Sequence, residues 1–557
     1  MTHSPNVGVI LCRCRGEIGD RVNLGELRKT LGSEKGVAFI RTAESLCDDP
    51  RPLRVKGVTA LVVAGCREGT PMERSKIVLE GRPEPLGACE FVDLKTPLSH
   101  SPCDPATSTA YAGLLIGAYV EKARAAGKAP AGTAYTALGW LIRRPGASMS
   151  RRGFLRLPWK IARNEPHREE IPWIDPNRCL APATPCRECS SACPFQAISI
   201  REDRPFLVEG RCEECGLCTT VCPVDALLMP SFSYARSLGL LDALANPAID
   251  IGRRVILFAC DRGNDVLGPV VQEVWARGST PLVLRVPCLA ALSPLLMVRS
   301  MELGFEEIVP FCPDLRCSKR PSLSLWEKRI RTLLNCLGSL DSTGSPTPIR
   351  FPGHGPFQSS SLIGERSRPS RGRRPTPTPL SGDPRIDLIR MLSSLIEPGD
   401  HREIPLEGTG LPYGDILIDK DRCTLCGACS RHCPTGALRL EEGPETAIRF
   451  SHFACLACGR CLAQCSEKAV SLRRVVQTHR FRKDALVVKM HDEPARCRIC
   501  GRITGKKRLQ ERVALQLRDA GFDRLADGIG LCRLCKNRAV YQESDDLAEG
   551  PEVSSIA

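Results

Sequence analysis

Four cysteine runs carry the chemistry of this chain. Three are complete: Cys212-x2-Cys215-x2-Cys218-x3-Cys222-Pro223, Cys423-x2-Cys426-x2-Cys429-x3-Cys433-Pro434 and Cys455-x2-Cys458-x2-Cys461-x3-Cys465. The fourth, with Cys179, Cys186, Cys189 and Cys193, is a variant of the same pattern. Three thiolates two residues apart wrap one face of an iron–sulfur cube, and the backbone N–H groups between them can point at its sulfides. A proline after the last cysteine fixes φ and ends the wrapping turn. C-x-x-C pairs also hold zinc tetrahedrally. Three full runs, two of them closing on Cys-Pro, favour 4Fe–4S clusters here, four in all.

Further cysteines end candidate strands. In 250–340, Cys260 follows VILFA, Cys288 follows LVLRVP, and Cys312 follows EIVPF with Cys317 five residues later. Open parallel sheets bind ligands at the carboxyl edge of their strands, so four thiols can converge there. Buried structural cysteines are the alternative. Near the N-terminus, Cys12 and Cys14 follow VGVIL, Cys47 lies past a second strand, Cys66 ends ALVVAG and Cys103 precedes a long helix. Cys497-x2-Cys500 and Cys532-x2-Cys535 are about thirty residues apart and read as one S4 site. Zinc is expected, because the third thiolate of a cluster run is missing; a further cluster and a metal-free site are the alternatives. Cys89 and Cys336 have no assigned partner. His432 and His452 neighbour cluster cysteines; they read first as satisfied surface histidines, with tuning of cluster potential as the alternative.

The elements that must position these residues alternate along 557 positions, enough for several domains. VGVIL, VAFIRT, ALVVAG and EFVDL read as buried strands and 109–142 as an Ala-rich helix, which is parallel-sheet patterning. The pattern returns over 250–340. Between and after lie two cysteine-dense units, 171–232 and 413–475, an internal repeat in which each unit is itself a tandem of about thirty residues. The Ser/Pro/Gly/Arg-rich stretch 341–400 reads as a disordered linker.

The 31 cysteines recur as clusters in a long chain, which points to metal ligation in a reducing compartment and not to disulfides. The net charge is +15 and is uneven: 140–168 carries eight Lys/Arg against one acid, and 471–520 fourteen against five. A solvated basic surface is the first reading and docking of an acidic redox partner the second. Nucleic-acid binding is not expected, since no stacking platform accompanies the charge. No apolar run reaches the ~18 residues that span a bilayer. Ser150-Arg151-Arg152-Gly153-Phe154-Leu155-Arg156 looks like a twin-arginine export motif, but no apolar stretch follows it, and a cytoplasmic location is expected. No G-x-G-x-x-G occurs; Gly408-Thr-Gly410-Leu-Pro-Tyr-Gly414 is misspaced, so neither FAD nor NAD is expected.

The cysteine-dense units resemble bacterial two-cluster ferredoxins, down to the small-residue turns in Cys433-Pro-Thr-Gly-Ala-Leu and Cys222-Pro-Val-Asp-Ala-Leu. The crossed ligation of that family implies four sets: Cys212, Cys215 and Cys218 with Cys193; Cys179, Cys186 and Cys189 with Cys222; Cys423, Cys426 and Cys429 with Cys465; and Cys455, Cys458 and Cys461 with Cys433. Two departures stand out. Six residues separate Cys179 from Cys186 where two are usual, and Cys465 precedes Ser466. FAC, RVPC and FCPDLRC make 250–340 similar to the iron–sulfur delta subunit of methyl-viologen-reducing hydrogenase, which implies one 2Fe–2S cluster on Cys260, Cys288, Cys312 and Cys317. The first motif has one cysteine where that family tends to have several. LCRCRGEIGD, SLCDDP, VVAGCREGTP and SHSPCDP resemble the N-terminal domain of heterodisulfide reductase A. That implies an additional 4Fe–4S cluster on Cys12, Cys47, Cys66 and Cys103, with Cys12 and Cys14 competing for one position. The flavin domain of that reductase component is missing.

The expected architecture is multidomain α/β and α+β. It comprises a heterodisulfide reductase A-like α/β domain (1–142), a basic linker (143–170), a dicluster ferredoxin-like domain (171–232), a hydrogenase delta-like α/β domain (250–340), the linker 341–400, a second dicluster domain (413–475), and a zinc-ribbon-like four-cysteine segment (495–540). The expected function is single-electron relay within a redox complex. Its partners would be heterodisulfide reductase-like, hydrogenase-like or formate dehydrogenase-like subunits, in an anaerobic organism. A catalytic oxidoreductase with an unrecognised substrate or flavin site, and a zinc-based scaffold, are the competing readings.

Overall fold

Val7–Cys12 (β1) and Ala60–Gly65 (β3) contain no polar side chain, and every residue in both is buried. A strand covered on both faces is what a parallel sheet requires. β1 pairs in parallel with Val37–Ala43 (β2) and with β3, and β3 with Ala88–Asp93 (β4), in the order β2-β1-β3-β4. The helix Leu24–Gly32 lies between β1 and β2 in the chain, and the Asn23 side chain caps it by accepting the Glu26 N–H. The strand order reverses between β1 and β3, so Cys12 and Cys66 sit at the switch point where such sheets bind ligands.

These elements come from a computed structural model that describes residues 6–34, 36–49, 51–53, 55–66, 88–126, 171–184, 186–208, 210–229, 232, 234–260, 264–312, 317–337, 377–381, 384–395, 401–406, 411, 413–443, 445–480 and 486–538. They form two compact units: Met1–Cys179 with Arg187–Glu397, and Leu180–Cys186 with Pro398–Ala557. The basic linker, the export-like motif and the last part of the expected 109–142 helix lie outside the described residues. No helix among the described residues is long and apolar enough to cross a membrane.

In the first unit, Arg253–Cys260 (β5), Ser279–Val286 (β6) and Glu307–Phe311 (β7) form a second parallel sheet, ordered β6-β5-β7. Its core joins Val255, Leu257, Val283, Val309 and Phe311 to Val270 of the helix Asn264–Ala276. The helix Pro105–Ala126 ties the two sheets together: Tyr111 Oη donates to Pro281 O at 2.8 Å. Trp275 Nε1 donates to Pro97 O at 3.1 Å. The same helix carries a nearly buried ion pair, Lys122 Nζ to Glu90 Oε2 at 2.7 Å. Glu90→Ala leaves that ammonium buried without its counter-charge, and is expected to cost about 3–5 kcal/mol, read as a lower urea midpoint.

Between the sheets, Ile198–Arg201 and Arg204–Leu207 make an antiparallel hairpin, and Trp173–Ile174 pairs antiparallel with Leu227–Leu228. The second unit repeats this plan. Leu438–Glu441 pairs with Thr446–Ser451, and Asp415–Ile418 with Val470–Arg473. A further strand, Leu486–Asp492, adds to Thr446–Ser451. The hairpin Pro494–Arg496/Ile503–Lys506 and the helices Lys507–Asp519 and Asp523–Gly528 follow.

The stretch 341–400 is not linker throughout. Pro384–Leu395 is a helix with Leu388, Ile389, Met391 and Leu392 buried, and Glu302 accepts the Thr378 N–H at 2.9 Å. The apolar spacing of PRIDLIRMLSSL is hidden by the Ser, Pro and Arg around it. Residues 341–376 lie outside the described residues.

Candidate metal centres

The three full runs adopt one backbone. The residue before the second cysteine has a left-handed φ in each: Glu214 at 55°, Leu425 at 56° and Ala457 at 51°. The glycine after the second cysteine does too: Gly216 at 72°, Gly427 at 76° and Gly459 at 74°. Left-handed turns flanking a thiol gather successive N–H groups into a concave, anion-binding surface. The N–H of Glu214 donates to Cys212 Sγ at 3.4 Å and that of Ala457 to Cys455 Sγ at 3.4 Å. The turn after each run is also shared: Gln196, Asp225, Gly436 and Lys468, each three residues past the last cysteine, have φ of 50°, 51°, 63° and 50°. The N–H groups of Ala197, Ala226 and Ala469 then donate to Cys193, Cys222 and Cys465 Sγ at 3.3, 3.1 and 3.3 Å.

A Cβ on Gly427 would strain the left-handed backbone and stand 2.8 Å from Leu440 Cδ2. Gly427→Val is expected to lower iron retention at the Cys423 run, measured as iron per chain after gel filtration, with Gly436→Ala (no atom within 4 Å of its Cβ) losing less.

The fold brings the last cysteine of three runs toward the partner run. The charge of Cys193 bears on Cys212, Cys215 and Cys218. Cys465 bears on Cys423 and Cys429, and Cys433 on Cys455 and Cys461. Burial first, then thiols of the same run and the crossing cysteine, push the pKa of Cys429 up to about 11 and those of Cys455 and Cys461 to about 12. Thiols so placed stay protonated unless a cation joins them, while the N–H groups around them favour sulfur as anion. The residues present therefore fit an iron–sulfur group. Cys189 and Cys222 share a small core with Ile198 and Leu227. Cys179 belongs with them to the first unit, and Cys186 to the short piece counted with the second.

At the N-terminal sheet, Cys14 Sγ donates to Cys12 Sγ at 3.5 Å, and Cys47 and Cys66 Sγ are 3.7 Å apart. The charge of Cys66 bears on both Cys12 and Cys14. The bond from Cys14, with the Leu46 N–H, holds the Cys12 pKa down to about 6 against burial, while Cys14 itself is pushed up. Cys14 is thus a full member of this group. Cys103 packs against the core of the second sheet.

At the second sheet, Cys260 ends β5, Cys288 lies two residues past β6 and Cys312 one past β7. Cys260, Cys288 and Cys317 are buried; residues 313–316 lie outside the described residues. Burial drives the Cys288 pKa up to about 12, and both Cys260 and Cys215 of the first cluster run add to it. The contact is direct: a Cβ on Gly216 would lie 2.5 Å from Ala291 Cβ, and Lys319 Nζ donates to Glu214 O at 3.1 Å.

The hairpin 494–506 holds Cys497 and Cys500 at its turn, and Cys532 and Cys535 open a helical turn over 533–538. All four Sγ lie within 4.8 Å of one another, and Cys500 to Cys532 is 3.6 Å. Tetrahedral Zn–S bonds of ~2.3 Å put sulfurs ~3.8 Å apart, so the site has the right size. N–H groups of 532 and 500 lead in holding the Cys497 pKa near 6, which favours thiolate.

His452 is not a surface histidine: it is fully buried, edge-on to Phe450, and its Nε2 accepts the Gln477 N–H at 3.2 Å. His432 is exposed. Burial holds the His452 pKa down to about 4. The unfolded chain, with an ordinary value near ~6.5, takes up the proton first as pH falls. Stability that is complete above ~6.5 is therefore lost toward pH 4, by roughly 3 kcal/mol. Urea midpoints at both ends of that range check this, and His452→Leu should flatten the slope. Nothing in the sequence around His452 signalled its burial, which comes from strand pairing.

Comparison with known proteins bears on the two cysteine-dense units. Residues 415–466 and residues 184–226 each match a model of the 4Fe–4S dicluster domain. A ferredoxin of Methanothermococcus thermolithotrophicus is 38% identical over 55 residues, 10% of this chain and 88% of that ferredoxin. A ferredoxin of Pyrobaculum islandicum is 37% identical over 59 residues, 11% of this chain and 53% of its own length. The B subunit of an ion-translocating oxidoreductase complex of Methanosarcina acetivorans is 39% identical over 51 residues, 9% of this chain and 18% of that protein. Two such domains, each built on the same left-handed turns around paired thiol groups, place the chain in the 4Fe–4S dicluster ferredoxin family.

Proposed function

We propose that this chain relays single electrons within a heterodisulfide reductase-like or hydrogenase-like complex, through four 4Fe–4S clusters and two further iron–sulfur centres. The observation that carries this reading is the convergence of Cys193, Cys433 and Cys465, each the last thiol of its run, on the partner run, under converging N–H groups. The ligand sets are Cys212/215/218 with Cys193, Cys179/186/189 with Cys222, Cys423/426/429 with Cys465, and Cys455/458/461 with Cys433. A bound cluster supplies a site that gains or loses one electron at a time. The chain's own residues hold the thiolates, exclude water by burial and set potential through N–H···S bonds.

Cys260, Cys288, Cys312 and Cys317 form the 2Fe–2S set in this reading. The reach of Cys215 to Cys288 supports a direct path from that centre to the first ferredoxin domain. The N-terminal 4Fe–4S set is drawn from Cys12, Cys14, Cys47, Cys66 and Cys103; the contact of Cys14 with Cys12 makes Cys14 a candidate ligand in its own right. Zinc is the ion proposed for Cys497, Cys500, Cys532 and Cys535.

Anaerobically isolated protein should hold about 16 iron atoms in the ferredoxin domains and about 22 in all, with equivalent sulfide. A count near 8 rejects the scheme. Electron paramagnetic resonance of the reduced protein should show interacting pairs of centres; colourless protein would favour a zinc scaffold.

A further inference from the structure

We propose that the four-cysteine segment 494–538 is the docking platform for a redox protein with an acidic, partly apolar face, and that this partner exchanges electrons at the Cys423/426/429/465 group. The proposal rests on the electron-carrier reading above.

Position comes first. The helix Lys507–Asp519 lies along the loop that carries Cys423 and Cys426. The Arg508 guanidinium donates to Lys420 O, and its charge bears on Cys423. Lys506 Nζ, paired with Glu442 at 2.9 Å, is 3.7 Å from where a Cβ on Gly427 would stand. Arg512 pairs with Glu467, two residues past Cys465, at 3.3 Å. A partner seated on this segment is therefore beside that thiol group.

The surface itself is unusual. Residues 494–538 carry twelve Lys/Arg against four Asp/Glu, a net +8. Arg496, Arg498, Arg518, Arg524 and Arg533 are all exposed. Among the described residues, the five most exposed large apolar side chains are also here: Ile499, Leu525, Leu534, Ile503 and Phe522, between 55% and 66% exposed. Ile499 adjoins Cys500 and Leu534 adjoins Cys535, so the four-thiol site fixes both in place.

Exposed apolar side chains interspersed with exposed arginines in one short segment have the composition of a protein interface's core and rim. Single-stranded nucleic acid would need aromatic stacking positions, and Phe522 is the one aromatic residue in the segment. The charge balance selects an acidic partner, because complementary charge steers encounter and suppresses like-charged competitors.

The test uses the metal-loaded full chain and, as probe, a small acidic two-cluster ferredoxin. Affinity is measured by titration, and the electron-exchange rate by stopped flow. Wild-type affinity should fall steeply as salt rises above about 50 mM, where screening shortens. Arg518→Glu/Arg524→Glu/Arg533→Glu should bind at least tenfold more weakly, and exchange electrons at least tenfold more slowly at low salt. Phe522→Ser/Leu525→Ser should weaken binding independently, whether or not the charge variant folds. Salt-independent binding overturns the proposal, as does an affinity that neither variant changes. Variants that keep ferredoxin affinity but lose affinity for a single-stranded RNA overturn it in favour of nucleic acid. Should dithionite fail to reduce the loaded chain, the electron-carrier reading falls, while the binding measurements still decide the platform.

Discussion

Cys465→Ala protein, isolated anaerobically, is expected to contain about four fewer iron atoms than the parent chain. The cluster lost should be the one wrapped by Cys423, Cys426 and Cys429, over thirty residues upstream, and not the one beside Cys465 in sequence. Cys465 bears on Cys423 and Cys429, and the Ala469 N–H aims at its sulfur. Cys455 and Cys461 instead feel Cys433. A double substitution separates the two possibilities. If ligation crosses, Cys423→Ala/Cys465→Ala removes two ligands of one cluster and the iron deficit stays near four. If each run keeps its own last cysteine, the same pair damages two clusters and the deficit rises to about eight. The reciprocal pair, Cys455→Ala/Cys433→Ala, should behave in the same way.

The second large effect is expected at the C-terminal site. Cys535→Ser should release its metal and unfold 494–538, seen as rapid proteolysis confined to that segment while the iron count is kept. The helix Lys507–Asp519 has no fully buried residue, and Ala495 and Ala526 are the fully buried apolar residues of the segment besides Cys497 and Cys535. A segment with so little core is expected to depend on a bound metal for its fold, in which case the binding energy is folding energy. Acid should act similarly. The Cys497 pKa is held near 6 by N–H groups in the folded segment, below its ordinary value. The stability this adds is complete above the ordinary thiol range and disappears as pH falls through about 6. Metal release measured with a chromophoric chelator should therefore rise below that pH.

Much of this was legible in the sequence because the decisive patterns are local. C-x-x-C-x-x-C specifies a turn whose left-handed residues recur at equivalent positions in three runs. VGVILC and the VILFAC of Arg253–Cys260 are uniformly apolar, as strands covered on both faces require, and each delivers a cysteine to a sheet edge. What the sequence hid was set by packing between distant segments. Cys14 joined the N-terminal thiols because a left-handed φ of 49° turns it back over β1. That Cys103 touches the core of the second sheet is likewise set by the packing of distant segments. His452 is covered by strands twenty-five residues away. The exposure of Ile499, Ile503, Phe522, Leu525 and Leu534 is visible only in three dimensions.

The most direct test of the account is a coulometric titration of the anaerobically loaded full chain with dithionite. Thiol groups paired across runs, each holding a one-electron centre, predict uptake of about four to six electrons per chain with bleaching of the visible absorption. A fully loaded protein that takes up none would contradict it.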